Sequence, residues 1–254
     1  RRSVAAALDF KLGENHTIYA NAMYNWRDDR ENRYRMRIDN IAPQYNASNA
    51  IIGYRGRIGL QTKGGIDNDR NKMTRLEDQR VQNYSLRGEH LIASGLDMDW
   101  AASYSTAREY RPNERYMLFR QSNRTIDFTG SPDYPLFTTT NFDANTVGLN
   151  TISENTDLTK ESEFGAKLNF RMPLSVVDGQ KGRLRFGGRL RIKKKDRNNS
   201  FTEFEPLDGD LIPNLGQIPN SYFDGKKFQA GSQYVPGLFA SRAYLASLNL
   251  NNPA

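Results

Sequence analysis

The chain has 254 residues, enough for one large domain or two small ones. It contains no cysteine, which excludes a disulfide framework, a thiol nucleophile and a thiolate metal site. The formal net charge is +7, a balance that raises nucleic-acid binding, but the charges are spread along the chain and many alternate with apolar residues, so no nucleic-acid partner is expected.

No run approaches the ~18 apolar residues of a transmembrane helix. The mean hydropathy of −0.77 does not exclude a membrane barrel. In such a barrel only alternate strand residues face lipid, and long loops dilute the signal.

Three hairpins of long, alternating strands follow in chain order. In the first, Ala6, Leu8, Phe10 and Leu12 share one face, and Gly13-Glu14-Asn15 makes a short turn. The return strand puts Ile18, Ala20, Ala22, Tyr24 and Trp26 on the same apolar side. In the second, Tyr84, Leu86, Gly88 and Ile92 oppose Asn83, Ser85, Arg87 and Glu89, with a turn at Ala93-Ser94-Gly95. The next strand shows the pattern most cleanly: Leu96, Met98, Trp100, Ala102 and Tyr104 on one face, Asp97, Asp99, Ala101, Ser103 and Ser105 on the other. In the third, Phe164, Ala166, Leu168, Phe170 and Met172 oppose Gly165, Lys167, Asn169 and Arg171 up to Pro173. After a turn around Asp178-Gly179, Leu184, Phe186, Gly188, Leu190 and Ile192 oppose Arg183, Arg185, Gly187, Arg189 and Arg191.

Strands of about ten residues with one face for hydrocarbon and one for water match the tilted strands of an outer-membrane barrel. Short turns inside hairpins and long connections between them (Arg27 to Arg80, Ala107 to Lys160) predict short periplasmic turns and long outer loops. The expected fold is all-β: part of a single antiparallel transmembrane β-barrel domain over residues 1–254, incomplete, located in the outer membrane and in contact with its lipid and lipopolysaccharide. Six spanning strands are fewer than the ~8 of the smallest single-chain barrels, so further strands are expected outside this chain.

The facing follows from cost. An arginine turned toward lipid near the midplane costs about 2–4 kcal/mol. Asp97, Asp99, Arg183, Arg185, Arg189 and Arg191 are therefore assigned to the lumen, the arginines pairing with carboxylates such as Asp97, Asp99 or Glu89. Lys193-Lys194-Lys195 is the one dense basic run and reads as a solvated strand end or a contact with anionic headgroups.

No catalytic constellation is present in the sequence, so no enzyme activity and no cofactor are expected. His16 and His90 lie near short turns and read as interfacial polar residues, and no metal site is expected. Asp67-Asn68-Asp69-Arg70-Asn71 loosely resembles a calcium loop, but Lys72 stands where that loop needs glycine. Binding chemistry is more promising. Arg33, Tyr34, Arg115, Tyr116, Phe119, Arg120, Tyr134 and Phe137 mix guanidinium groups with aromatic rings in the outer segments. Such surfaces stack on planar ligands and pair with carboxylate or catecholate oxygens.

The stretch from Leu96 through Tyr104 to Arg111-Pro112-Asn113-Glu114-Arg115-Tyr116 and Phe119-Arg120 resembles TonB-dependent outer-membrane receptors. So does Val235-Pro236-Gly237-Leu238-Phe239-Ala240-Ser241 with Leu245-Ala246-Ser247-Leu248-Asn249-Leu250. The resemblance implies a barrel filled by a plug domain and energised by an inner-membrane TonB complex, importing a small-molecule or glycan ligand such as a ferric siderophore or cobalamin. Neither plug nor coupling segment falls within these residues, so the chain reads as a middle portion of the barrel. The alternatives are a porin or adhesion scaffold that does not use TonB, and a soluble β-rich binding module.

Overall fold

The computed structural model describes residues 1–131, 134–138, 143–206, 213–223 and 237–251; side chains are described for these except 127–131 and 134–138. The fold is all-β and antiparallel. Its strands are β1 Arg2–Lys11, β2 His16–Glu31, β3 Arg33–Tyr45, β4 Ile51–Gly65, β5 Arg75–Ala93, β6 Leu96–Ser131, β7 Tyr134–Thr138, β8 Gly148–Pro173, β9 Arg183–Phe204, β10 Asn220–Phe223 and β11 Gly237–Ala240. A short α-helix, α1, covers Arg242–Ser247. No helix among the described residues is long and apolar enough to cross a membrane.

The chain divides into two compact units. Unit 1 comprises Arg1–Asp29, Glu77–Tyr110 and Asp157–Asn199; unit 2 comprises Arg30–Leu76, Arg111–Thr156 and Ser200–Ala254. The residues that the sequence assigns to long connections make up most of unit 2.

Unit 1 holds the three expected hairpins. Its strand order is β1-β2-β5-β6-β8-β9. The register places Leu8 opposite Ala20 and Phe10 opposite Ile18 on β1 and β2, and Leu86 opposite Ala102 and Tyr84 opposite Tyr104 on β5 and β6. Directly opposed residues share a face, so the apolar sets of neighbouring strands merge into one surface. Gly13, Gly95 and Gly179 turn the hairpins at positive φ, where a side chain would be strained.

Unit 2 is built differently. The segment after Asn32, part of the long connection from Arg27 to Arg80, forms a hairpin, β3–β4, whose second strand pairs with the distal half of β6. β10 and β11 form a two-stranded sheet. Ile58, Leu60, Met117, Phe119, Leu215, Phe239 and Leu245 make a hydrophobic core between these strands and α1. Tyr34 packs against it through Phe223 and Phe239, at ring separations of 4.3 and 5.5 Å.

The contrast in burial between the units is sharp. Every buried apolar side chain described lies in unit 2. In unit 1 the only buried residues among those described are Asp78 and Gly88. Leu8, Phe10, Leu86, Ile92, Phe164, Leu190 and Ile192 are all exposed.

Candidate functional site

In unit 1 the polar face is organised by ion pairs between strands. Arg171 Nε donates to Asp97 at 2.7 Å, and Asn169 Nδ2 donates to Asp99 at 2.8 Å. Lys167 lies 3.5 Å from Asp99. Arg191 meets Glu163 at 2.6 Å, and Lys193 and Lys195 both meet Glu161, at 3.0 and 2.7 Å. The partners therefore differ from those expected. Asp97 and Asp99 are engaged by β8 rather than by the β9 arginines, because β8 is the strand beside β6. Arg185 and Arg189, with Arg87, Lys167, Arg171, Asp97 and Asp99, line a cavity of about 1060 Å³. Arg183 is exposed at the start of β9.

In unit 2 the alternation of β3, β4 and β6 sorts the predicted binding residues onto two sides. Phe119 is 1% exposed and belongs to the core. Tyr34 is half-buried there, and burial raises its phenol pKa. Arg115 is buried as well. Its Nε donates to Glu154 at 2.6 Å, and its Nη1 donates to the carbonyls of Leu245, Ala246 and Leu248 at 3.3, 3.2 and 2.7 Å. It thus caps the C-terminus of α1, where carbonyl groups lack partners and a cation is favoured.

Arg33, Tyr116 and Arg120 fall on the opposite side. Arg33 and Tyr116 both register with Lys63, while Arg120 and Arg37 both register with Gly59. Asp39 registers with Arg57, which donates to it at 2.6 Å. Arg33, Arg35, Arg37, Arg57, Lys63 and Arg120 thus form a cationic face, countered by Asp39, Glu31 and Glu114, the last accepting from the Tyr116 hydroxyl at 2.7 Å. Lys63 stands 4.5 Å above the Tyr116 ring. Its pKa is lowered, first by desolvation and then by the charges of Arg35, Arg75 and Arg33. The hydrogen bond from Arg57 holds the Asp39 carboxyl below its ordinary value. An array of this kind recognises anions: several guanidinium groups present paired N–H donors, and Tyr116 adds a ring for stacking.

Tyr134 and Phe137 lie on β7, and their side chains fall outside the described residues. Sequence reasoning missed Arg35, Arg37, Arg57 and Lys63. The signal was there for the first two: Arg33, Arg35 and Arg37 alternate with Tyr34, Met36 and Ile38, which is the period of a strand with one buried face. Arg57 and Lys63 depend on the β3–β4 register.

No family model and no curated protein matches this chain.

The two histidines, 74 positions apart, come together on the apolar face of unit 1. His16 Nδ1 and His90 Nδ1 are 3.0 Å apart, and Trp100 Nε1 donates to His90 Nε2 at 2.9 Å. Gly88, directly opposite Trp100, makes room for this: a Cβ there would sit 2.3 Å from the indole nitrogen. Among the described residues no group of three or more metal-ligating side chains occurs.

Proposed function

We propose that this chain is a portion of an outer-membrane β-barrel importer of the TonB-dependent kind, in which unit 1 supplies six spanning strands and the cationic face of unit 2 takes part in ligand recognition. The observation that carries the membrane part is the inverted burial of unit 1. Its described residues include no buried apolar side chain, while a continuous apolar face is exposed and the opposite face is polar and ion-paired. In water such a sheet would leave far more apolar surface uncovered than soluble monomers tolerate. In a bilayer that face is solvated by lipid, and the polar face belongs to a watery lumen. The importer part rests on the resemblance of Leu96–Tyr104 and of Arg111 to Arg120 to TonB-dependent receptors. The ligand that suits Arg33, Arg37, Arg57, Lys63, Tyr116 and Arg120 is an anion with a planar part, such as a carboxylate- or catecholate-bearing chelate.

The absence of native cysteine allows a direct test. Single cysteines are introduced at Arg189 and Leu190, and the assembled protein is treated with a water-soluble maleimide. Arg189→Cys is expected to react and Leu190→Cys to resist until the membrane is dissolved. Equal labelling of both in the intact membrane would overturn the reading.

A further inference from the structure

The apolar face of unit 1 carries two adjoining depressions. The first, about 390 Å³, has a floor of Ala20, Ala22 and Ala102 and walls that include Leu8, Leu86 and Phe164. The second, about 450 Å³, is lined by the basic Arg80, Arg108, Lys160 and Lys194, the acidic Glu161 and Asp196, and by Tyr24, Thr106 and Ser162. Four strands, β2, β5, β6 and β8, contribute to both, with β1 adding Leu8 to the first and β9 adding Lys194 to the second. Ala22 gives way to Tyr24 on β2, Tyr84 to Gln82 on β5, Tyr104 to Thr106 on β6 and Phe164 to Ser162 on β8. Each step is two residues on one face, or about 7 Å along a strand. An apolar groove thus runs, past a row of tyrosines, into a pocket in which four basic side chains outnumber two carboxylates.

The charges in that pocket are not all engaged. Arg80 is held by Asp28 at 2.8 Å and Asp78 at 2.9 Å, and Asp78 also reaches Arg108 at 3.4 Å. Among the described residues Lys194 pairs with Asp196 alone, at 3.4 Å, and stays largely exposed. Lys160 is exposed and has no carboxylate partner among the described residues. Lys193 and Lys195, its neighbours in the basic run, point to the other face and are paired with Glu161. Alternation has therefore singled out one lysine of the three for the apolar side.

Resting on the membrane reading above, we propose that this composite surface holds a phosphorylated lipid. Its acyl chain lies in the alanine-floored groove. Its phosphate is bound by Lys160, Lys194 and Arg108, with the Thr106 and Ser162 hydroxyls as further donors. A cation near a membrane surface attracts anionic headgroups, and the adjoining groove distinguishes a lipid from a free phosphate ion.

The test compares lipids at equal mole fraction. With Trp100 replaced by Phe, the full chain is reconstituted in phosphatidylcholine vesicles that contain a small fraction of brominated phosphatidic acid or of brominated phosphatidylcholine, and quenching of Trp26, which stacks on Tyr24, is measured. Brominated phosphatidic acid is expected to quench as though enriched about tenfold around Trp26, with K160Q/K194Q removing the excess and K193Q/K195Q retaining it. Three results would overturn the proposal: no excess for phosphatidic acid, an excess that survives K160Q/K194Q, or an excess abolished by inorganic phosphate in the buffer. In each of these, continued quenching by brominated phosphatidylcholine would leave the membrane reading standing. Absence of quenching by either lipid would remove both.

Discussion

Asp97 on β6 accepts a hydrogen bond from Arg171 Nε on β8 at 2.7 Å, and this pair fixes which face of unit 1 is polar. Each odd-numbered residue of the two strands near that contact lies on the charged side, and each even-numbered one on the apolar side. A slip by one residue would exchange the faces.

That alternation predicts opposite outcomes for adjacent substitutions on β9. Leu190 is 53% exposed on the apolar face. With that face against lipid, as proposed, Leu190→Arg would place a cation among acyl chains, at a cost of about 2–4 kcal/mol near the midplane. Arg189→Leu places a leucine in the polar cavity at much smaller cost. Assembly yield in outer-membrane vesicles should fall strongly for the first and little for the second.

Arg115 predicts a structural rather than a binding phenotype. Arg115→Met leaves the carbonyls at the end of α1 without this donor and Glu154 with Asn113 Nδ2 as its remaining one, a loss of up to about 3–5 kcal/mol for a buried pair broken on one side. Hydrogen exchange over 242–248 should accelerate. Arg115→Lys should rescue only in part, because an ammonium cannot serve Glu154 and three carbonyls with one planar fork.

The Gly88, His90 and Trp100 cluster predicts coupled effects. Gly88→Ala drives a methyl group into the indole nitrogen, and His90→Phe removes its acceptor. Either change should shift Trp100 emission. The unsatisfied indole N–H of His90→Phe should cost about 1–3 kcal/mol, read as a lower unfolding midpoint.

Much of unit 1 was legible in the sequence, because a sheet with one lipid-like and one water-like face writes its period into every strand. The turns at Gly13, Gly95 and Gly179 were visible for a similar local reason. Unit 2 was less legible. Its burial depends on the pairing of β4 with the distal half of β6, whose partners run from Gly65 with Glu114 to Tyr54 with Ile126, and the Arg-Tyr pairs look alike until that register assigns them. Only then does Arg115 turn inward to α1 while Tyr116 joins Lys63. The meeting of His16 and His90 likewise has no local signal, since it arises from the adjacency of β2 and β5.

Asp39 gives the account a dependence on pH. Its folded-state pKa is depressed by the Arg57 hydrogen bond, opposed by desolvation and aided by the charges of Arg57, Arg37 and Arg120. A depressed carboxyl contributes stability that is fully present above its unfolded value, near ~3.9, and is lost as pH falls through the folded value. Acid titration of the wild-type protein should therefore show a loss of stability below about pH 4 that is smaller in Asp39→Asn.

Trp100 reports most directly on whether lipid covers the apolar face of unit 1, as proposed. With Trp26 replaced by Phe, Trp100 fluorescence is measured in vesicles whose acyl chains carry bromine, and again with iodide in the water. Strong quenching by the brominated chains and weak quenching by iodide is the predicted result. Quenching by iodide alone would contradict the account.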